Sequence, residues 1–172
     1  MKQNTVHATL VKVMSRGIIL MGESGSGKSR LALSLLYEGA RLVADDVVEL
    51  CGGVDGLKGR APDRLRGLIE IRGVGIIDVA AAFGRPFVVE ETAIDLVVKL
   101  VRRWDKTRRA AAPQVGVVNL LGRKIPEIRV GADIDTCGLL CVIGDFILGG
   151  SAGSPLIARL IASPICEEKP SD

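Results

Sequence analysis

The stretch that decides the fold is Gly22-Glu23-Ser24-Gly25-Ser26-Gly27-Lys28-Ser29, which matches the pattern GxxxxGK(S/T) at every fixed position. It follows the apolar run Gly17–Met21, which predicts a buried strand because its residues do not alternate between apolar and polar. It precedes Ser29–Tyr37, which predicts a helix of about ten residues ending near Gly39. A glycine-rich loop between a buried strand and a helix is the context in which this pattern binds phosphate.

The loop predicts a nucleotide phosphate site. Its glycines let backbone N–H groups curl around phosphates, and the positive end of the following helix adds attraction. We expect Lys28 to reach the β- and γ-phosphates of ATP and the Ser29 hydroxyl to ligate Mg²⁺. The predicted nucleotide-binding residues are Gly22, Glu23, Ser24, Gly25, Ser26, Gly27, Lys28 and Ser29.

The segments around the loop predict an α/β fold with a P-loop kinase-like core, in which helices flank a mixed or parallel sheet. Ala8–Val13 predicts a strand before the loop, and Arg41–Ala44 predicts one after its helix that runs parallel to the strand Gly17–Met21. The other predicted elements are a turn-rich or mobile stretch around Gly52–Gly59, a short helix from Pro62 through Leu68, a strand over Ile94–Val101, a hairpin of Val115–Leu121 and Lys124–Val130, an ambiguous segment Gly138–Leu148, a helix over Pro155–Ala162, and a frayed tail from about Glu167.

Composition limits the function classes. The 172 residues, 48% of them hydrophobic, are enough for one domain with a sizeable core, and we predict a single domain over residues 1–172. Five aromatic residues and a net charge of +3 do not favour a nucleic-acid partner. The four cysteines contain no CxxC pair, and the start of the chain has no apolar signal region, so we expect a cytoplasmic protein without membrane insertion.

Two acidic residues follow the loop closely. Asp45 and Asp46 stand sixteen and seventeen positions after Ser29, at the end of the predicted strand Arg41–Ala44. Ligands of open α/β sheets bind beyond such strand ends, so either carboxylate can support a metal or accept a proton from an attacking hydroxyl. The alternative is that one faces the site and the other is solvated. The chain lacks the NKxD motif of small GTPases and the LSGGQ motif of ABC ATPases, which leaves a phosphotransferase.

Beyond the phosphate loop, three further parts of the sequence carry a family resemblance. They are the pair His7-Ala8, the segment Gly39–Asp46, and the block Leu68–Val79, which reads LIEIRGVGIIDV. Together with the loop, these parts resemble the HPr kinase/phosphorylase family, whose members modify a serine of the phosphocarrier protein HPr. The block Leu68–Val79 resembles the family signature and is far more specific than the loop alone.

The resemblance implies roles for individual residues. His7 matches the active-site histidine that assists the catalytic carboxylate, and Glu70 matches a second magnesium ligand beside Ser29. The aspartate pair contains the proton acceptor; we prefer Asp45 for this role and Asp46 for support of the metal, with their order open. The predicted catalytic residues are His7, Lys28, Asp45, Asp46, Arg109 and Arg129.

The second half departs from the family pattern. The family arginine after the strand ending at Val101 corresponds to Arg108 or Arg109, and we take Arg109. Of the loop tied to dephosphorylation only Pro126–Ala132 is left, with Arg129 as its one arginine, so we expect a retained kinase activity and weakened or absent phosphorylase activity. The chain resembles short forms that begin at the catalytic domain. The resemblance also implies HPr as partner and a homo-oligomer, a hexamer in the family.

Two other functions compete with this prediction. A P-loop kinase of small molecules would leave the block Glu70–Val79 unexplained. A nucleotide-binding regulatory protein that has lost catalysis would need Lys28 and Ser29, but none of the acid–base residues.

Overall fold

The computed structural model describes residues 4–54, 56–102 and 113–147. These residues form twelve strands and three α-helices. The strands are β1 (Asn4–His7), β2 (Thr9–Val13), β3 (Arg16–Gly22), β4 (Arg41–Ala44), β5 (Val47–Gly53), β6 (Gly56–Arg60), β7 (Leu68–Ile71), β8 (Gly75–Asp78), β9 (Glu91–Ala93), β10 (Leu96–Val101), β11 (Gln114–Leu120) and β12 (Arg123–Gly131). The helices are α1 (Lys28–Tyr37), α2 (Val79–Phe83) and α3 (Thr136–Ile147).

A six-stranded mixed sheet forms the centre, in the order β11-β12-β10-β3-β2-β4. β10 is parallel to both β3 and β12, whereas β2 is antiparallel to both β3 and β4. The strands on either side of the phosphate loop, β3 and β4, are therefore parallel to each other as predicted, but β2 lies between them. The mixed sheet with its flanking helices confirms the predicted fold class.

The central sheet is covered on both faces because successive side chains of a strand point to opposite sides. Ile18 and Leu20 of β3 pack into one core with α1 and α3, while Ile19 between them packs into a second core. The second core is shared with a four-stranded sheet in the order β1-β5-β6-β9. This three-layer arrangement explains why β3 is apolar without alternation.

The glycine-rich stretch Gly52–Gly59, predicted to be turn-rich or mobile, forms part of the hairpin of β5 and β6 and includes its turn. Gly59 lies where the second sheet packs against the first. A Cβ atom on Gly59 would lie 2.6 Å from Cδ2 of Leu10, in β2. This glycine therefore reflects the close approach of two sheets, and such a glycine cannot be distinguished from a loop glycine in a single sequence.

The ambiguous segment near the end of the described chain is helix α3, whose Leu139 and Ile143 are fully buried. The predicted β11–β12 hairpin is confirmed. The predicted helix after Pro62 is wrong: only a three-residue 3₁₀ turn, Asp63–Leu65, forms before β7 begins. The predicted helix Pro155–Ala162 lies outside the described residues. Among the helices described, none has the length and apolar character needed to cross a membrane.

Gly17, at the start of β3, gives a prediction about stability. A Cβ atom there would lie 1.8 Å from the carbonyl oxygen of Ala93 and 2.7 Å from Cγ2 of Thr92. Because the backbone of β9 would have to move, we expect Gly17→Ala to lower the free energy of unfolding by about 1–3 kcal/mol or more. Urea unfolding followed by circular dichroism measures this loss.

Gly52 provides the matched control, since it also lies in a strand but has no atom within 4 Å of an added Cβ. Gly52→Ala should leave the unfolding midpoint unchanged or raise it slightly, because alanine loses less backbone entropy than glycine on folding. Equal effects of the two substitutions would contradict the close approach of β9 to β3.

Candidate active site

The phosphate loop connects β3 to α1, as predicted. Gly25 and Gly27 have φ angles of 74° and 93°, in the left-handed region that glycine adopts at little cost. Gly27 caps α1, and no side chain accepts a hydrogen bond from the first turn of the helix. The backbone N–H groups of that turn are therefore available to an anion.

A cavity of about 570 Å³ lies at this loop. It brings together most of the predicted site residues, which come from β1, the loop, α1, the end of β4, and β7. The predicted residues that line it are His7, Ser24, Gly25, Ser26, Gly27, Lys28, Ser29, Asp45, Asp46 and Glu70. Arg30, Arg72 and Arg102 line the same cavity without having been predicted as site residues.

Lys28 is held inside the loop. Its ammonium group donates hydrogen bonds to the carbonyl oxygens of Gly22 and Glu23, each at 3.2 Å, and lies 3.2 Å from Nε2 of His7. The side chain is buried, and burial lowers the pKa of Lys28, partly opposed by the two nearby aspartates. A bound phosphate would favour the charged form of the lysine and so offset this cost.

Asp45 is buried, with 4% of its surface exposed, and its carboxylate accepts three hydrogen bonds. Its Oδ1 accepts from the hydroxyls of Thr9 at 2.6 Å and Ser29 at 2.9 Å. Its Oδ2 accepts from the backbone N–H of Glu70 at 3.0 Å. Asp45 thus connects the predicted magnesium ligand Ser29 to the strand that carries Glu70, and its acceptor capacity is largely used.

Asp46 differs from its neighbour because its side chain is 61% exposed. Its φ angle of 66° lies in the left-handed region, which aspartate tolerates better than most residues. In a regular strand the two adjacent carboxylates would point to opposite faces; with this backbone turn, both line the cavity. Both aspartates therefore border the cavity, with Asp45 buried and Asp46 the solvated member of the pair.

His7, at the end of β1, links Asp46 to Lys28. Its Nδ1 lies 2.9 Å from Oδ1 of Asp46, and its Nε2 faces the ammonium group of Lys28. Because an ammonium group only donates hydrogen bonds, Nε2 acts as the acceptor and Nδ1 carries the proton given to Asp46. The imidazole therefore orients a solvent-accessible carboxylate beside the phosphate loop.

The residues present fit a nucleotide and its magnesium ion. The Ser26 hydroxyl is buried without a hydrogen-bond partner among the described residues, which is costly in a site that stays empty. No group of three or more His, Cys, Asp or Glu within the described ranges has the geometry of a metal site. Mg²⁺ suits such a place, because it binds through few protein oxygens together with substrate phosphates and water. Ser29 and Glu70 are the residues that would hold it.

Of the two arginines expected in the site, only Arg129 lies among the described residues. Arg129 lies on β12, where its Nε donates a hydrogen bond to Oε1 of Glu127 at 2.5 Å, and it does not line the cavity. Arg109 lies outside the described residues. Arg102 instead reaches the loop, because β10 is the direct neighbour of β3 and Arg102 follows its last residue. The topological rule that ligands bind beyond the ends of parallel strands could have pointed to Arg102.

Comparison with known proteins agrees with this architecture. A family model described as the HPr Serine kinase C-terminal domain matches residues 1–136. A solved structure titled "Structure of the Hpr(Ser) kinase/phosphatase from Coxiella burnetii" superposes with a TM-score of 0.76 at 32% identity, covering 84% of this chain and 97% of that one.

Curated relatives are similar over shorter parts of their length. A protein of Caldanaerobacter subterraneus named HPr kinase/phosphorylase is 49% identical over 107 residues, which are 62% of this chain and 35% of the relative. One of the same name from Cupriavidus necator is 38% identical over 127 residues, 73% of this chain and 39% of the relative. The chain thus spans well under half of these relatives. With the family model matching residues 1–136, the chain belongs to the HPr Serine kinase C-terminal domain family.

Proposed function

We propose that this chain is a cytoplasmic, ATP-dependent protein serine kinase that phosphorylates a serine of the phosphocarrier protein HPr, with residues 1–172 as a single catalytic domain. The observation that carries the proposal is the accessible carboxylate of Asp46, held by His7 beside the phosphate loop. Binding of a nucleotide alone needs no such group, whereas transfer to a serine hydroxyl benefits from a base at this place.

The geometry favours a division of work between the aspartates that reverses our preference from the sequence. Asp46 accepts the proton of the HPr serine hydroxyl. At the same time the serine oxygen attacks the γ-phosphorus of ATP. The bond from that phosphorus to the β,γ-bridging oxygen breaks, and ADP leaves. Asp45, whose oxygens already accept three hydrogen bonds, holds the Ser29 hydroxyl in place.

The remaining residues stabilise charge. Lys28 and the N-terminus of α1 bind phosphate oxygens, and this electrostatic stabilisation is the main part of catalysis in phosphoryl transfer. Ser29 and Glu70 would hold Mg²⁺, which neutralises negative charge on the phosphates when bound. His7 keeps the Asp46 carboxylate oriented through its Nδ1–H group.

Incubation of the purified protein with Mg²⁺, ATP and HPr tests the proposal. Intact mass and fragment mapping should locate one phosphate on a serine of HPr, and Lys28→Ala should remove it. ATP binding without transfer would replace the proposal by the regulatory function. Phosphorylation of a metabolite with HPr unmodified would replace it by a small-molecule kinase.

We further propose that dephosphorylation is weakened, which the pairing of Arg129 with Glu127 away from the cavity supports. Phosphorylated HPr incubated with the protein and inorganic phosphate should lose its phosphate slowly or not at all, as measured by intact mass. Fast phosphate-dependent release would contradict this.

The oligomeric state stays a prediction. The chain is expected to form a homo-oligomer, a hexamer, and sedimentation would test this.

A further inference from the structure

Two arginines from different elements converge on Gly25 in the phosphate loop. Arg72 follows β7, and Arg102 follows β10. Nη2 of Arg102 lies 3.4 Å from the carbonyl oxygen of Gly25. A Cβ atom on Gly25 would lie 3.3 Å from Nη1 of Arg72 and 3.5 Å from Nη2 of Arg102. The two guanidinium groups therefore share one small region at the edge of the cavity.

Among the described residues, no carboxylate forms an ion pair with this arginine pair. Within residues 4–54, 56–102 and 113–147, neither Arg72 nor Arg102 forms an ion pair with a carboxylate, although Arg16, Arg60, Arg66 and Arg129 each do. Two like charges at short range repel each other. An anion between them removes this repulsion and accepts hydrogen bonds from both forks, the geometry in which arginine binds phosphate.

The arginine pair and Lys28 can bind different phosphates of one donor. The loop amides, Lys28 and the N-terminus of α1 can enclose phosphate within the loop. The arginine pair lies at Gly25, whereas Lys28 contacts the carbonyl oxygens of Gly22 and Glu23. A donor with one more phosphate than the loop encloses can place that phosphate against the pair.

We propose that Arg72 and Arg102 bind the outermost phosphate of the donor and make the site selective for a nucleoside triphosphate over a diphosphate. The inference rests on the proposed function, since it assumes that the loop holds the phosphoryl donor. The bond from Arg102 to the Gly25 carbonyl is long and is readily exchanged, because a charged phosphate oxygen is a stronger acceptor than a carbonyl.

Equilibrium binding of ATP and of ADP, each with Mg²⁺, tests the proposal by calorimetry. Arg102→Ala should raise the Kd for ATP by about tenfold, the loss expected for a hydrogen-bonded charge, and leave the Kd for ADP little changed. Arg72 follows a separate strand, and Arg72→Ala should likewise raise the Kd for ATP relative to the Kd for ADP. Arg102→Lys should lie between Arg102→Ala and the unaltered protein, because lysine keeps the charge but loses the fork.

Arg123→Ala is the matched control. Arg123 is also an exposed arginine that donates to a glycine carbonyl, that of Gly53 at 2.7 Å, but it does not line the cavity. The Arg123→Ala substitution should change neither the Kd for ATP nor the Kd for ADP. Equal weakening of ATP and ADP in Arg102→Ala would overturn the proposal, because it would indicate general attraction to anions. An unchanged Kd for ATP would also overturn it, whereas failure of the unaltered protein to bind ATP would overturn the proposed function as well.

Discussion

Lys28→Ala is expected to reduce phosphate transfer to HPr by about 10³-fold and to weaken ATP binding, because it removes the positive charge held inside the phosphate loop. Among the described residues, Lys28 is the one lysine that lines the cavity, and its ammonium group is held against the loop by two carbonyl oxygens. Initial rates of ³²P transfer, together with calorimetric ATP binding, measure both losses.

Lys124→Ala is the control for this experiment. Lys124 is an exposed lysine of β12 that lies outside the cavity, so its removal changes the net charge by the same amount. The Lys124→Ala variant should transfer phosphate to HPr at the same rate as the unaltered protein. A Lys28→Ala variant that transfers phosphate at a normal rate would show that the reaction uses another site, and the assignment of the loop would be wrong.

The sequence was sufficient for the parts of the site that are local in the chain. The loop Gly22–Ser29 has a recognisable pattern because its glycines adopt backbone conformations that other residues avoid. The same pattern predicts the strand before the loop and the helix after it. Asp45 and Asp46 follow from the short distance to the next strand. Glu70 and His7 came only from the family resemblance, since a lone carboxylate or histidine has no local pattern of its own.

The rest depends on contacts between distant segments. The insertion of β2 between β3 and β4 leaves no trace in the periodicity of either strand, because the central residues of both, Ile18–Leu20 and Leu42–Ala44, are buried. The difference between the aspartates arises from the left-handed turn at Asp46 and from the hydroxyl of Thr9, thirty-six positions away from Asp45. Arg102 enters the site only because β10 is the neighbour of β3, which is a property of strand order.

The second large effect is expected from Asp46→Asn, which should lower kcat for phosphate transfer to HPr by about 10²- to 10⁴-fold, the usual contribution of a general base. Asparagine has the same shape, tolerates the left-handed backbone at this position, and its amide oxygen can accept the hydrogen bond from His7. The substitution therefore removes basicity with little change in structure. ATP binding should stay close to that of the unaltered protein.

Asp63→Asn is the matched control for Asp46→Asn. Asp63 is also an exposed aspartate paired with a basic residue, its partner being Arg66 at 2.6 Å, but it lies outside the cavity. The kcat of the Asp63→Asn variant should equal that of the unaltered protein. Normal turnover by Asp46→Asn would exclude this residue as the proton acceptor.

Asp45→Asn separates the roles of the two aspartates through the dependence on Mg²⁺. An amide has one acceptor oxygen where the carboxylate has two, so Ser29 would lose the acceptor that orients its hydroxyl if the backbone N–H of Glu70 keeps its own. We therefore expect Asp45→Asn to raise the Mg²⁺ concentration needed for half-maximal rate, whereas Asp46→Asn lowers kcat without moving it. The opposite result, with kcat lost in Asp45→Asn and the Mg²⁺ requirement shifted in Asp46→Asn, would restore the order preferred from the sequence. A buried carboxylate with three hydrogen-bond donors is suited to positioning, and an accessible one beside a histidine is suited to accepting a proton.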